Sequence, residues 1–250
     1  MLGPALRLDY HCTDDDLATM VARYLGALRK ALDKLRHIYE VEIRNVEPLD
    51  SDDIADARFP CYTRYTCLVD SVERDIKYAF QPFDDKLVFV GRSSGIDVCV
   101  KFVTKYSKEA HEHCASRNVA PKLRGFETLL GGWFMVVMDC VAKDFVRIDR
   151  AKSTLTSELY EMLLEETTLL HQAGYVHGDL RDTNLLVRED GQPGFMLLDF
   201  DWAGRIGEVC YPRNVFSGPD LWRPTDAYDG ELIKAEHDVS MIEHMYQGLS

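Results

Sequence analysis

Residues 174–204 read Gly174-Tyr-Val-His177-Gly-Asp179-Leu-Arg-Asp-Thr-Asn184-Leu-Leu-Val187, then Arg188-Glu-Asp-Gly191-Gln-Pro-Gly194, then Phe195-Met-Leu-Leu-Asp199-Phe-Asp201-Trp-Ala-Gly204. Three polar residues, Asp179, Asn184 and Asp199, stand among apolar neighbours. The runs Leu185–Val187 and Phe195–Leu198 flank a turn carrying Gly and Pro, and predict a hairpin of two buried strands. Such a hairpin brings Asn184 and Asp199 to neighbouring strand ends. Carboxylate and amide oxygens meeting there suit a hard, octahedral cation such as Mg2+, which takes few protein ligands and completes its shell with phosphate and water. Taken singly, Asp179 and Asn184 read as turn caps, as Asx residues often are. The ordered set of three points instead to chemistry.

The chain of 250 residues has room for a two-lobed enzyme or two small domains, with ample core. Its formal charge of -13 argues against nonspecific binding to nucleic acid or to anionic membranes, both of which need a basic surface. Seven cysteines are scattered without a Cys-x-x-Cys pair or a His-coupled zinc spacing, which suits reduced thiols in cytoplasm or nucleus. The first residues lack a sustained apolar run, and no stretch approaches the roughly 20 apolar residues that span a bilayer. A soluble intracellular protein is the expectation.

Outward from residues 174–204 the chain falls into three parts: 1–60, 61–138 and 139–250. From Thr13 to Tyr39, apolar residues at Leu17, Met20, Val21, Tyr24, Leu25, Leu28, Leu32, Leu35 and Ile38 mark one face of an amphipathic helix. Thr13 is its N-cap, followed by three aspartates in the first turn. This helix either presents a surface to a partner or packs on the chain's own body. Residues 46–60 form an acidic connector. Beyond it, Lys86–Gly91 and Ile96–Val103 predict a hairpin with a glycine-bearing turn, and Lys101 closes an apolar strand.

The helix expected over Ser107–Arg117 offers Glu109, with Glu112 in reserve, as an anionic partner for Lys101. A strand over Phe134–Met138 leads to Asp139, Cys140 and Val141, read either as a hinge whose backbone meets an adenine edge, with Met138 at the back of that pocket, or as the end of an ordinary core strand. Ser153–Gln172 predicts a helix capped by Ser153 that stops at Gly174. A final helix is expected from about Asp229 to Tyr246, on which Asp238 either accepts from the backbone around Asp179 or is solvated. Gly91 and Gly95 surround a hairpin turn, but no G-x-G-x-x-G occurs, and the segment Asp70–Asp85 contains no glycine to cradle a phosphate.

Val98-Cys-Val-Lys101, Ala120-Pro-Lys-Leu, Gly132-Trp-Phe-Met-Val-Val-Met138, His177-Gly-Asp-Leu-Arg-Asp-Thr-Asn184 and Leu198-Asp-Phe-Asp-Trp-Ala-Gly204 together resemble the protein-kinase-like superfamily, closest to kinase-like proteins abundant in fungi. The resemblance spans about residues 60–250. It implies an α+β, two-lobed fold with a small antiparallel-sheet N-lobe and a reduced helical C-lobe. It also implies Lys101 on phosphate with Glu109 as its partner, Asp179 as catalytic base, Asn184 and Asp199 on Mg2+, and ATP as the nucleotide.

Gly178 stands where that family has arginine, so pairing with an activation-loop phosphate is not expected. Asp201 replaces the glycine of D-F-G, a feature similar to aminoglycoside phosphotransferases and choline kinases, in which a second acid helps hold metal. No Ala-Pro-Glu motif follows. The expected activity is transfer of phosphate from ATP to a hydroxyl of protein Ser/Thr or of a small molecule; the alternative is a pseudokinase serving as a nucleotide-binding or scaffold module.

Overall fold

A computed structural model of the protein describes residues 15–42, 59–151, 155–213, 215 and 221–249. It divides into two compact units, Met1–Cys61 and Tyr62–Ser250.

In the first unit, α1 spans Asp15–His37 and continues as a π-type turn over Ile38–Glu42. Its cap at Thr13 and the acidic connector up to residue 58 lie outside the described residues. Leu25, Leu28, Leu32 and Leu35 line the apolar face and are each about half exposed. No helix among the described residues is long and apolar enough to cross a membrane.

The second unit is built on strands β1 (Arg64–Thr66), β2 (Glu73–Asp75), β3 (Lys77–Phe80), β4 (Val88–Ser93), β5 (Ile96–Val103), β6 (Leu123–Leu129) and β7 (Trp133–Asp139), with helix α2 (Lys108–Ser116) between β5 and β6. Five of them form an antiparallel sheet in the order β3-β4-β5-β7-β6, and β1 pairs with β2 separately. The β4–β5 hairpin turns at Ser94 and Gly95, both at positive φ (49° and 84°), as a two-residue turn matched to strand twist requires. Alternate residues Val98 and Val100 of β5 pack with Met135 and Val137 of β7 and with Tyr65, which buries the centre of one face of the sheet.

After β7 come β8 (Phe145–Arg147), α3 (Ser157–Gln172), β9 (Tyr175–Val176), β10 (Leu185–Arg188), β11 (Phe195–Leu197), β12 (Gly204–Arg205) and α4 (Ala235–Leu249). The hairpin read from the sequence is β10–β11, with Leu185 opposite Leu197, and β8 joins its other edge. Leu163 and Leu170 of α3, Leu185, Leu197, Phe200 and Ile242 of α4 form a second core beneath it.

Two helix starts differ from expectation. Ser153 lies outside the described residues; α3 is capped instead by Thr156, whose hydroxyl accepts from Leu159 N–H. The last helix begins at Ala235 and not near Asp229, because residues 230–233 pair first with the 209–211 stretch, Ile233 N–H donating to Val209 C=O and Gly230 N–H to Tyr211 C=O. Backbone pairing with a distant segment outranks local helix periodicity here.

Candidate active site

The β10–β11 ladder extends by one hydrogen bond beyond its strands, Leu198 N–H to Asn184 C=O at 2.9 Å, and so sets Asn184 and Asp199 side by side. The amide nitrogen of Asn184 donates to the Asp179 carbonyl (2.9 Å) and to its Oδ2 (2.8 Å). With that nitrogen spent, the amide oxygen is what Asn184 can offer a cation. Asp199 sits at φ 69°, a left-handed conformation that Asp tolerates better than most residues and one that clusters at functional sites.

Lys101, opposite Val136 in the sheet, reaches across to the β11 end. Its Nζ lies 2.5 Å from Asp199 Oδ1 and 2.6 Å from Asp201 Oδ1. Burial alone would depress the lysine, but the two carboxylates outweigh it and its pKa is raised. Burial pushes Asp201 up to about 7, with the charge of Asp199 adding to it; for Asp199 the same burial is outweighed by Lys101, and its pKa is lowered. One ammonium thus faces two carboxylates. Two aspartates and an amide oxygen, all hard donors, are the chemistry that Mg2+ takes.

Glu109 is not the partner of Lys101. It is exposed, and so is Glu112, which pairs with Lys108 at 3.7 Å. The cause is helical phase. Ser107 caps α2, its N–H bound to Phe200 C=O at 3.0 Å and its Oγ accepting from Ala110, and the helix starts at Lys108. That start turns Ala110, His111 and Cys114 inward and both glutamates outward.

The hinge also departs from expectation. The N–H groups of Asp139 and Cys140 are already used, on Lys122 C=O (3.0 Å) and Asp97 C=O (3.1 Å), because pairing with β6 and β5 runs on past Met138. The Asp139 carboxylate is gripped by Arg124 in a two-bond fork. Val141 N–H has no hydrogen-bond partner among the described residues. Met138 is buried opposite Cys99. The loop between β3 and β4, residues 81–87, lies one strand before the lysine strand. Gln81 closes this glycine-free loop on itself through Phe83 and Lys86 carbonyls. Gly91 serves strand packing: a Cβ there would meet the Lys77 carbonyl at 2.8 Å.

Below the site, Asp238 is a backbone acceptor. Its Oδ2 accepts from His177 N–H and its Oδ1 from Gly178 N–H, both at 2.8 Å, while His171 Nε2 lies 3.0 Å from Oδ2. Gly178 has φ 81°, and a Cβ would meet Ile233 at 2.8 Å and Trp202 C=O at 3.0 Å, which is why glycine and not arginine precedes Asp179. His177 is fixed as the Nε2–H tautomer, because Nε2 faces the Leu198 carbonyl at 3.0 Å and Nδ1 accepts from Asp179 N–H.

A stack of rings joins the two halves. His111 lies flat on Phe200, with centroids 4.6 Å apart, and His177 is tilted against Phe200 at 5.0 Å. His111 donates Nε2–H to Pro121 C=O and accepts from the Tyr106 hydroxyl, each at 2.7 Å. Burial lowers its pKa to about 4. The unfolded chain therefore takes up this proton first, near pH 6.5, so stability is expected to fall as pH drops from about 6.5 to 4, by about 3 kcal/mol from this group. His111→Gln should flatten that part of a urea-melt profile against pH; an unchanged slope would remove His111 as its source.

Two residues at the site went unnoticed in the sequence. Arg181 Nε lies 3.1 Å from Asp179 Oδ2, and Arg223 Nη2 lies 2.5 Å from Asp179 Oδ1. Arg181, two positions after Asp179, was open to reading; Arg223 sits in a proline-bearing stretch with no periodic signal and reaches the site only through the tertiary fold.

Comparison with known proteins places this architecture. Residues 133–203, less than half of the chain, match the RIO domain. In fold the chain is similar to the Cydia pomonella granulovirus kinase PK-1, with a TM-score of 0.54 and 17% identity over 70% of this chain and 69% of that one. It is also similar to vaccinia related kinase 3, with a TM-score of 0.51 and 14% identity over 82% of this chain and 70% of that one. No curated protein matches it by sequence. The second unit has the α+β fold of the protein kinases, an antiparallel sheet above a helical lobe.

Proposed function

We propose that the protein is an ATP- and Mg2+-dependent phosphotransferase that phosphorylates a hydroxyl acceptor. The observation that carries this reading is the pairing of Lys101 with Asp199 and Asp201 next to the Asn184–Asp179 pair, at one end of the β10–β11 hairpin. Asp199, Asp201 and the amide oxygen of Asn184 would hold Mg2+, which when bound neutralises phosphate charge as a Lewis acid. Lys101 turns from the aspartates to nucleotide phosphates, Val141 N–H and Met138 receive the adenine, and Asp179 orients the acceptor hydroxyl and takes its proton. Catalysis of this kind rests on positioning and electrostatics.

The acceptor is a protein Ser/Thr or a small alcohol. The Asp-Phe-Asp ending, similar to aminoglycoside and choline kinases, favours the small alcohol. Free thiols at six described cysteines suit a reducing cytoplasmic or nuclear setting. A second reading, a pseudokinase that binds nucleotide or serves as a scaffold, is favoured by the self-closed, glycine-free loop and by the outward Glu109.

Melting temperature with and without MgATP separates a working nucleotide site from a pure scaffold. At a ligand concentration 100-fold over Kd, stability rises by about 2.7 kcal/mol, or roughly 5–10 °C for a domain of this size. The rise should need both Mg2+ and ATP and be lost in Asp199→Asn. No rise at millimolar MgATP would exclude the working nucleotide site and leave the scaffold reading.

A further inference from the structure

We infer that Arg223, which lies outside the sequence motifs, is a positioning residue for Asp179, held in place by a scaffold of aromatic rings. The inference rests on the phosphotransferase reading, because it concerns the carboxylate that handles the acceptor hydroxyl.

Arg223 comes from the stretch before α4, 44 residues from Asp179, and its side chain is 2% exposed. Its guanidinium lies over the Trp202 ring at 4.7 Å. Trp202, directly after Asp201, is met edge-on by Tyr211 at 5.9 Å and 88°. Tyr211 in turn stacks on His237 at 5.7 Å, and its hydroxyl lies 3.0 Å from His237 Nδ1. His237 Nε2 faces Asp226 at 3.2 Å, and Asp226 also takes Lys234 at 2.7 Å.

Each member fixes the next, and the chain of contacts ends with Nη2 of Arg223 on Oδ1 of Asp179. The other carboxylate oxygen is set by Asn184 at 2.8 Å and Arg181 at 3.1 Å. Asp179 is thus oriented through Oδ1 from outside the catalytic loop and through Oδ2 from within it. A planar guanidinium on an aromatic face holds a carboxylate in one rotamer; an ammonium on a flexible stem does not. Placement to a fraction of an ångström is what phosphoryl transfer needs, since a misplacement of 1 Å costs about 10²-fold.

The probe is MgATP hydrolysis, with water as acceptor, by the full 250-residue chain. Arg223→Met should lower kcat by about 10²-fold while KM for ATP stays within about twofold. Millimolar guanidinium ion should restore part of kcat to Arg223→Met and none to Asp179→Asn. Arg223→Lys should stay well below wild type, and it carries the test if the methionine variant does not fold. Independently of turnover, a double-mutant cycle of Asp179→Asn and Arg223→Met in thermal melts should show the two sites coupled.

Unchanged or raised kcat in Arg223→Met, full activity in Arg223→Lys, or additive melts would overturn the inference and leave the phosphotransferase reading standing. Wild-type protein that gains no stability from millimolar MgATP would remove that reading, and this inference with it.

Discussion

Asp238→Ala is expected to lower the melting temperature by about 10 °C, from a loss of about 3–5 kcal/mol at roughly 2–4 °C per kcal/mol. Asp238 is 1% exposed and accepts from two backbone N–H groups, at His177 and Gly178, and lies 3.0 Å from His171 Nε2. Alanine would leave both N–H groups buried without an acceptor, each a desolvation cost of about 1–3 kcal/mol. The same carboxylate holds the turn in which Gly178 takes its left-handed φ of 81°. Asp238→Asn keeps one acceptor oxygen and should fall between wild type and alanine. Calorimetric melts give the comparison directly, and an alanine variant within about 1 kcal/mol of wild type would show that the loop stands without this residue.

Asp179→Asn should reduce phosphotransfer by about 10³-fold, within the range that a positioned acid–base group contributes. Asparagine keeps an oxygen for Arg223, but its amide nitrogen replaces the oxygen that accepts from Asn184 Nδ2, so that hydrogen bond is lost unless the Asn184 amide turns over. What disappears is the negative charge and the capacity to take a proton from the acceptor. MgATP should still raise the melting temperature, because Lys101, Asn184, Asp199 and Asp201 are untouched. Turnover within about tenfold of wild type would reassign the base. Loss of the MgATP shift along with turnover would mean that Asp179 helps hold the nucleotide and not only the acceptor.

The contrast between Glu109 and Asp238 shows where reading the chain stops. Both were acids on predicted helices with a partner in view. Asp238 found the backbone partner because α4 packs beneath the loop and buries that face against Leu170 and Leu185. Glu109 did not, because the helix capped at Ser107 carries it on the outward face, while Lys101 is drawn to Asp199 and Asp201, 98 and 100 residues along the chain. The same holds at the hinge. Met138 was recognisable as the end of an apolar strand, but which N–H groups remain free after it depends on how far β5 and β6 continue to pair.

Local chemistry alone determined the β4–β5 and β10–β11 hairpins, the placing of Asn184 beside Asp199 and the run of apolar residues in α3, because turn residues and hydrophobic spacing act over a few neighbours. Tertiary structure decided that Lys101 meets Asp199 and Asp201 in place of Glu109, and that Arg223 and Trp202 close on Asp179. These are contacts between segments far apart in the chain. Their partners are chosen by which faces the folded core leaves pointing at one another, and that choice exists only once the whole second unit has packed.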